Sequence, residues 1–327
     1  MIHKQVVVIG GGPAGMAAAL ECYRNGIRDI AIIERDSKLG GILNQCIHAG
    51  FGLQIFNEEL TGPEYAQRYV DQVLKTDIQI FTDTMVLSVS KDKKIIAAGV
   101  KYGLLEIDAD AIVLAMGCRE RTRSMVGITG DRPAGIYTAG TAQRLTNIDG
   151  VIPGKKIAIL GSGDIGLIMA RRMTLEGARV VGVYEVMDHS NGLKRNIVQC
   201  LDDFGIPLHF STTATKIHGK DRVEAITVAK VDGNMKPIEG TEEYIECDTV
   251  LLSVGLIPEN ELSRGAGVEM NEKANTPIDF GHFMTSVPGI FVCGNAFKIY
   301  DLADNVTRDS MLVGKYVSDY VGGPRNE

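Results

Sequence analysis

VVVIGGGPAGMAAALECYRNGIRDIAIIE, residues 6–34, is the stretch from which the whole chain can be read. Its four leading apolar residues, 6–9, predict a buried strand, and residues 30–33 predict a second one. Between them a glycine turn leads into an alanine-rich helix running from Pro13 to about Asn25. The glycines are spaced GxGxxG. Gly10 permits a tight turn, Gly12 lets a pyrophosphate approach the backbone, and Gly15 lets helix and strand pack closely. N–H groups at the helix start face the phosphates, and the helix dipole favours that charge. Pro13 suits the first helical position, where its missing N–H has no partner to lose. Glu34 ends the second strand, where a carboxylate can accept from a ribose diol.

The same order returns further along. Residues 156–160 predict a strand, Gly161-Ser-Gly-Asp-Ile-Gly166 a turn, 167–176 a helix, and 180–184 a strand ending at Glu185. Glu34 stands 24 positions after Gly10, and Glu185 stands 24 after Gly161. Each unit also closes alike, with Asp110-Ala-Ile-Val-Leu-Ala-Met-Gly117 in the first and Asp248-Thr-Val-Leu-Leu-Ser-Val-Gly255 in the second. One architectural plan is used twice.

Between these landmarks, residues 35–52 are too glycine-rich for a regular element. Gly62-Pro63 opens a helix through about Thr76, with Tyr65, Tyr69, Val73 and Leu74 as its apolar face. Three short strands are expected near 78–90, 94–101 and 103–107, and a separate buried strand over 110–115. Short strands fill 206–246 in the second unit. After that unit closes, residues 285–295 predict a strand ending in glycine, followed by a helix over 304–321 with Gly322 as C-cap. This left-over strand and helix can return to the first sheet. The expectation is an α/β protein with two Rossmann-like dinucleotide-binding domains, each with a central parallel sheet and a small β-meander. Residues 1–122 with 256–327 form the first domain, and 123–255 form the second, inserted in it.

The 327 residues suffice for two domains, and 45% hydrophobic with 23% charged residues suits a globular interior. The net charge of −7 argues against a nucleic-acid surface. No apolar run approaches the roughly 18 residues of a membrane span, so no transmembrane segment is expected. The chain enters its first strand at once, which leaves no room for a signal peptide. The six cysteines lie at positions 22, 46, 118, 200, 247 and 293. Without a CxxC they point to a reduced, cytoplasmic protein and to no metal site.

These landmarks resemble the two-dinucleotide flavoproteins of the pyridine nucleotide-disulfide oxidoreductase superfamily, along the whole chain. The resemblance implies FAD on the first unit and NAD(P)H on the second. It assigns FAD to Gly10, Gly12, Pro13, Ala14, Gly15, Glu34, Arg35, Gly41, Ile42, Gln45, Val86, Ala115, Met116 and Gly117, and to Gly294-Asn295. The family's late motif is Gly-Asp. Asn295 keeps the hydrogen bonding and loses the charge. The nucleotide falls to Gly161, Gly163, Asp164, Ile165, Gly166, Glu185 and Gly255. The size is similar to thioredoxin reductase, without the C-terminal dimerisation domain of larger disulfide reductases. Neither of the family's cysteine pairs is present: the CxxxxC positions hold Leu43 and His48, and the second unit has no CxxC.

A nearer resemblance is to the small FAD/NAD subunits associated with sarcosine and opine oxidases, hydrogen cyanide synthase and glycerol-3-phosphate dehydrogenases. It rests on Arg132-Pro-Ala-Gly-Ile-Tyr-Thr-Ala-Gly-Thr-Ala-Gln143, Pro153-Gly154-Lys155, and Cys293-Gly-Asn with Tyr300-Asp-Leu-Ala-Asp. It implies hydride exchange between FAD and NAD(H), with electrons passed to a partner dehydrogenase or a small acceptor. The alternatives are an electron-transfer or nucleotide-binding subunit with little activity alone, and an NADH oxidase. The partner is a dehydrogenase subunit or a second copy of the chain.

Three groups of residues bear on the chemistry. The Glu185 carboxylate accepts a ribose 2′-hydroxyl and repels a 2′-phosphate, favouring NADH over NADPH. Its alternative is an exposed turn acid, and Lys194 and Arg195 leave NADPH open. Cys46 and His48 lie in the loop that in the family passes near the isoalloxazine. As a catalytic pair they would be a thiolate and an imidazolium, side by side on an extended loop. Otherwise Cys46 is a buried core residue. Arg119, Arg121 and Arg123 either hold an anion or line a solvated crossing between domains.

Overall fold

The computed structural model describes residues 2–322. The chain divides into two compact units, Met1–Arg119 with Ile257–Glu327, and Glu120–Leu256. The divisions fall at 119/120 and 256/257.

The first unit is built on a seven-stranded sheet. Its parallel half runs Gln79–Phe81, Ile30–Ile33, Ile2–Ile9, Gly103–Leu114, and Ile290–Val292 pairs in parallel with the last of these. Gly103–Leu114 is one unbroken strand, not the two expected. Its first half pairs antiparallel with Lys94–Gly99 and continues the meander to Thr84–Val89. Burial alternates through this half and becomes continuous over 111–114, where Ala111 and Val113 face the core under the helices Pro13–Arg24 and Ala303–Gly322, and Ile112 and Leu114 face the core shared with Val86, Val89 and Ile95 of the meander. The polar residues Asp108 and Asp110 are outward positions of the alternating half, not a break. The left-over strand and helix do return to this sheet: Ile290–Val292 joins Ile112–Leu114, and Ala303–Gly322 packs along Pro13–Arg24.

Three local expectations are corrected. The helix Gly62–Val73 ends before Leu74, which is 64% exposed, while Tyr65, Tyr69 and Val73 are buried one turn apart. Residues 35–52 do contain regular structure. A 3₁₀ helix runs over Gly41–Gln45, and Ala49–Phe51 pairs with Leu60–Thr61. Gly322 is the last residue of its helix rather than a residue past its end, and positions 323–327 lie outside the described residues.

The second unit has a five-stranded parallel sheet, in the order Ile136–Thr138, Thr249–Leu252, Lys156–Leu160, Arg179–Tyr184, Leu208–His209. Its meander, Thr212–His218, Ala225–Lys230 and Glu243–Glu246, forms a separate sheet with Thr129–Gly130. Both units place a glycine turn at the carboxyl end of a central strand, where open α/β sheets bind ligands.

Candidate functional site

Each glycine turn is shaped by packing at its first and third glycines. A Cβ on Gly10 would lie 2.4 Å from the Ala115 carbonyl oxygen, and one on Gly15 would lie 1.9 Å from that of Gly10. In the second unit a Cβ on Gly161 would meet the Ser253 oxygen at 2.0 Å, and one on Gly166 the Gly161 oxygen at 2.6 Å. Gly10 and Gly161 also have φ of 106° and 92°, which side chains rarely adopt. The middle glycines are different. Gly12 and Gly163 have φ of −76° and −67°, open to any residue. A Cβ there meets nothing nearer than 3.9 and 3.8 Å. Nothing among the described residues explains the missing side chains, whereas a pyrophosphate against the backbone would. Both therefore fit a dinucleotide.

The strand-end acids are folded back onto these turns. Glu34 is 5% exposed; its Oε2 accepts from Gly11 N at 2.7 Å and its Oε1 from Asp36 N at 2.8 Å. Glu185 is 6% exposed; its Oε2 accepts from Ser162 N at 2.8 Å and its Oε1 from Met187 N at 3.0 Å. Glu185 is thus a buried, hydrogen-bonded carboxylate rather than an exposed turn acid. The residue pairs 10/161, 34/185 and 36/187 are all 151 positions apart, so the plan repeats down to hydrogen bonds.

Around the first turn the structure gathers most of the remaining candidates. Pro13 opens the helix, and Gly41 brings its backbone against Gly12. Gly294 packs so closely on Ala14 that a Cβ would stand 2.7 Å from the alanine methyl. Asn295 comes next, accepting from Tyr300 N at 3.2 Å and donating to Cys118 Sγ at 3.5 Å. Ala115 lies under Gly10, and the Gly117 oxygen accepts from Glu259 N. Met116 is half-buried and Gln45 buried, whereas Arg35 and Ile42 are exposed. Thr84 N donates to Glu34 O, so the strand carrying Val86 starts beside the acid. The Val86 side chain itself turns into the core.

In the second unit, Asp164 Oδ1 accepts from Leu193 N and Asn196 Nδ2 at 2.8 and 2.7 Å. Its carboxylate thus holds the start of the next helix. Ile165 packs on the core, and Gly255 O accepts from Arg121 N. Arg119 pairs with Glu259 and Glu261, and Arg123 donates to the carbonyls of Ile128, Thr129, Gly130 and Asp131. These two guanidinium groups are engaged by the protein itself.

Cys46 stands at the end of the 3₁₀ helix Gly41–Gln45 rather than within an extended loop. Cys46 caps the 3₁₀ helix, is buried, and points its thiol at the Ile42 oxygen, 3.4 Å away. Burial pushes that thiol up to about 12, which disfavours the thiolate. The His48 ring lies against Phe51, with centroids 5.2 Å apart.

Two residues escaped the sequence reading. Asp304 is buried at the start of the C-terminal helix and accepts from Gly52 N and Ile55 N, holding the loop just after His48. Its signal is an acid in a first helical turn. Ser162 is the other, visible as the one hydroxyl inside an otherwise repeated turn.

An α/β protein with two such turns belongs to a recognised class, and the sequence agrees. The chain belongs to the pyridine nucleotide-disulphide oxidoreductase family, whose profile matches residues 4–310. This is an oxidoreductase family that binds FAD and a pyridine nucleotide. The hydrogen cyanide synthase subunit HcnB of Pseudomonas protegens is 26% identical over 81% of this chain and 59% of its own. An opine oxidase subunit from Rhizobium meliloti is 26% identical over 90% of this chain and 59% of its own. The chain thus spans about three fifths of the length of these curated relatives. The T. acidophilum thioredoxin reductase structure superposes with a TM-score of 0.79 at 21% identity, over 98% of this chain and 99% of that one, and shares the fold. No helix among the described residues is long and apolar enough to cross a membrane.

Proposed function

We propose that the first unit binds FAD and the second NAD(H), and that the protein exchanges hydride between them and passes the electrons to a partner dehydrogenase subunit or a small acceptor. The observation that carries this is the pair of open middle glycines, Gly12 and Gly163, each at the head of a twelve-residue helix. When bound, the flavin and nicotinamide supply the hydride and electron chemistry. The chain's own residues bind and orient. Backbone N–H groups at the heads of Pro13–Arg24 and Asp164–Leu175 take the pyrophosphates. Glu34 and Glu185 accept ribose hydroxyls, and the negative charge of Glu185 opposes a 2′-phosphate, which favours NAD(H) over NADP(H). Gly294 and Asn295 bring an amide to the head of the first helix, where it can meet the ribityl chain.

A second reading is a subunit with little activity alone, which receives electrons from its partner. The names of HcnB and the opine oxidase relative, both subunits, favour it. None of the six cysteines is bridged by a disulfide, which suits a reducing compartment such as the cytoplasm. Mass spectrometry of the released chromophore, then anaerobic NADH titration, tests the proposal. FAD and bleaching are expected. FMN, or no flavin after reconstitution, would refute the first-unit reading. FAD that NADH fails to bleach would leave the subunit reading in its place.

A further inference from the structure

The two strand-end glutamates are held alike except for one hydroxyl. Glu34 receives one N–H on each carboxylate oxygen, from Gly11 and Asp36. Glu185 receives the corresponding two from Ser162 and Met187, and then a third: Ser162 Oγ donates to Oε2 at 2.7 Å. Each carboxylate oxygen offers two lone-pair directions. Glu34 keeps one on each oxygen and can accept both hydroxyls of a ribose diol. On Glu185, Oε2 is filled by the N–H and O–H of a single residue, and only Oε1 has a direction left.

The difference has a steric origin. A Cβ on Gly11 would lie 2.4 Å from Leu39 Cδ2, so a serine in the first turn would have to displace the end of that leucine side chain. The second turn accommodates Ser162 fully buried. Ser162 is also fixed from the other side, because its carbonyl oxygen accepts from Ser190 Oγ at 2.8 Å. Its hydroxyl donates to the acid from this held backbone.

We infer that Ser162 is a positioning residue that sets how tightly the second nucleotide is held, by filling one oxygen of Glu185 so that the acid meets the adenosine ribose through a single hydroxyl. Glu34 meets its ribose through two. The first unit is thereby built to retain its dinucleotide, and the second to release one. This rests on the NAD(H) reading of the second unit. Removing the hydroxyl frees the second direction on Oε2 and lets the diol be held at both oxygens.

The test is calorimetric titration of the flavin-loaded protein with NAD⁺, for wild type, Ser162→Ala and Ser162→Gly. It is repeated with the 2′-deoxy and 3′-deoxy adenosine-ribose analogues. Both variants should bind NAD⁺ about tenfold more tightly, the effect of one added hydrogen bond to a carboxylate. The gain should vanish with whichever analogue lacks the newly held hydroxyl, which a merely structural change would not produce. If wild type binds NAD⁺ and neither variant binds it more tightly, the inference is overturned. A gain that survives with both analogues overturns it as well. If wild type binds no NAD⁺, the nucleotide reading of this unit fails, and the inference falls with it.

Discussion

Gly12 and Gly15 belong to one motif but answer to different forces. Gly15 is required by the fold, since any side chain would enter the Gly10 carbonyl. Gly12 faces open space at an ordinary φ. Gly12→Ala should therefore leave the melting temperature of the apoprotein nearly unchanged while flavin content collapses. Gly15→Ala should destabilise the fold by about 1–3 kcal/mol or more, as overpacking does. Thermal denaturation beside flavin absorbance separates the two. Glu185→Ala is a different case, because the carboxylate also satisfies Ser162 and Met187. NADH affinity should fall about ten- to a hundredfold, the loss of one hydrogen bond to a charged group. Stability should fall as well, and denaturant unfolding beside NADH titration reports each. The spacing of these residues was legible in the sequence because glycines and strand-end acids are local signals. The burial of Cys46 was not, because it depends on a 3₁₀ turn closing over it.

Single contacts between elements also carry consequences. The helix Gly62–Val73 begins with a capping box in which Glu64 accepts from Thr61 N at 2.8 Å. Hydrogen bonds from the Thr61 backbone and hydroxyl hold the Glu64 carboxyl below its ordinary 4.5. A depressed folded value means stability that is present above 4.5 and lost as pH falls through the folded value. Wild type should thus lose stability more steeply than Glu64→Gln in that acid range, as denaturant midpoints measured pH by pH would show. The contact between Asp304 and the 52–55 loop joins elements far apart in sequence. Asp304→Ala takes this acceptor from the buried N–H of Gly52 and the half-buried N–H of Ile55, at a cost of about 1–3 kcal/mol for the buried one. Hydrogen exchange should quicken at Gly52 and Ile55 before it quickens in the central sheet. The capping box has a local Thr-x-x-Glu pattern that the reading from Gly62-Pro63 passed over, whereas the Asp304 clamp has none, since nothing local distinguishes it from any first-turn acid. The strand Gly103–Leu114 was divided in the sequence reading because alternation and continuous burial look like two elements. Only the sheet shows one strand serving two environments.

At the scale of the molecule, six unbridged thiols bear on what the family name implies. A self-contained disulfide reductase needs two sulfurs with Cα atoms less than about 7 Å apart. Cys46 is the cysteine nearest the expected flavin loop, and burial raises it to about 12. Turnover with glutathione disulfide, lipoamide or thioredoxin should be negligible, while dyes or quinones are reduced with NADH. Substantial disulfide turnover that disappears in Cys46→Ser would reverse this expectation. Strand, glycine turn, helix and terminal acid are short-range patterns, and they recur with identical spacing. The sequence by itself therefore determined the α/β class, the doubled plan and the positions of both turns. Tertiary structure alone decided which glycines are demanded by packing and which are left open, because that depends on Ala115, Ser253 and Gly41 arriving from elsewhere in the chain. It likewise decided that Glu185 meets a serine hydroxyl where Glu34 does not. A hydrogen bond across 23 residues is set by where strands end in space, which no local pattern records.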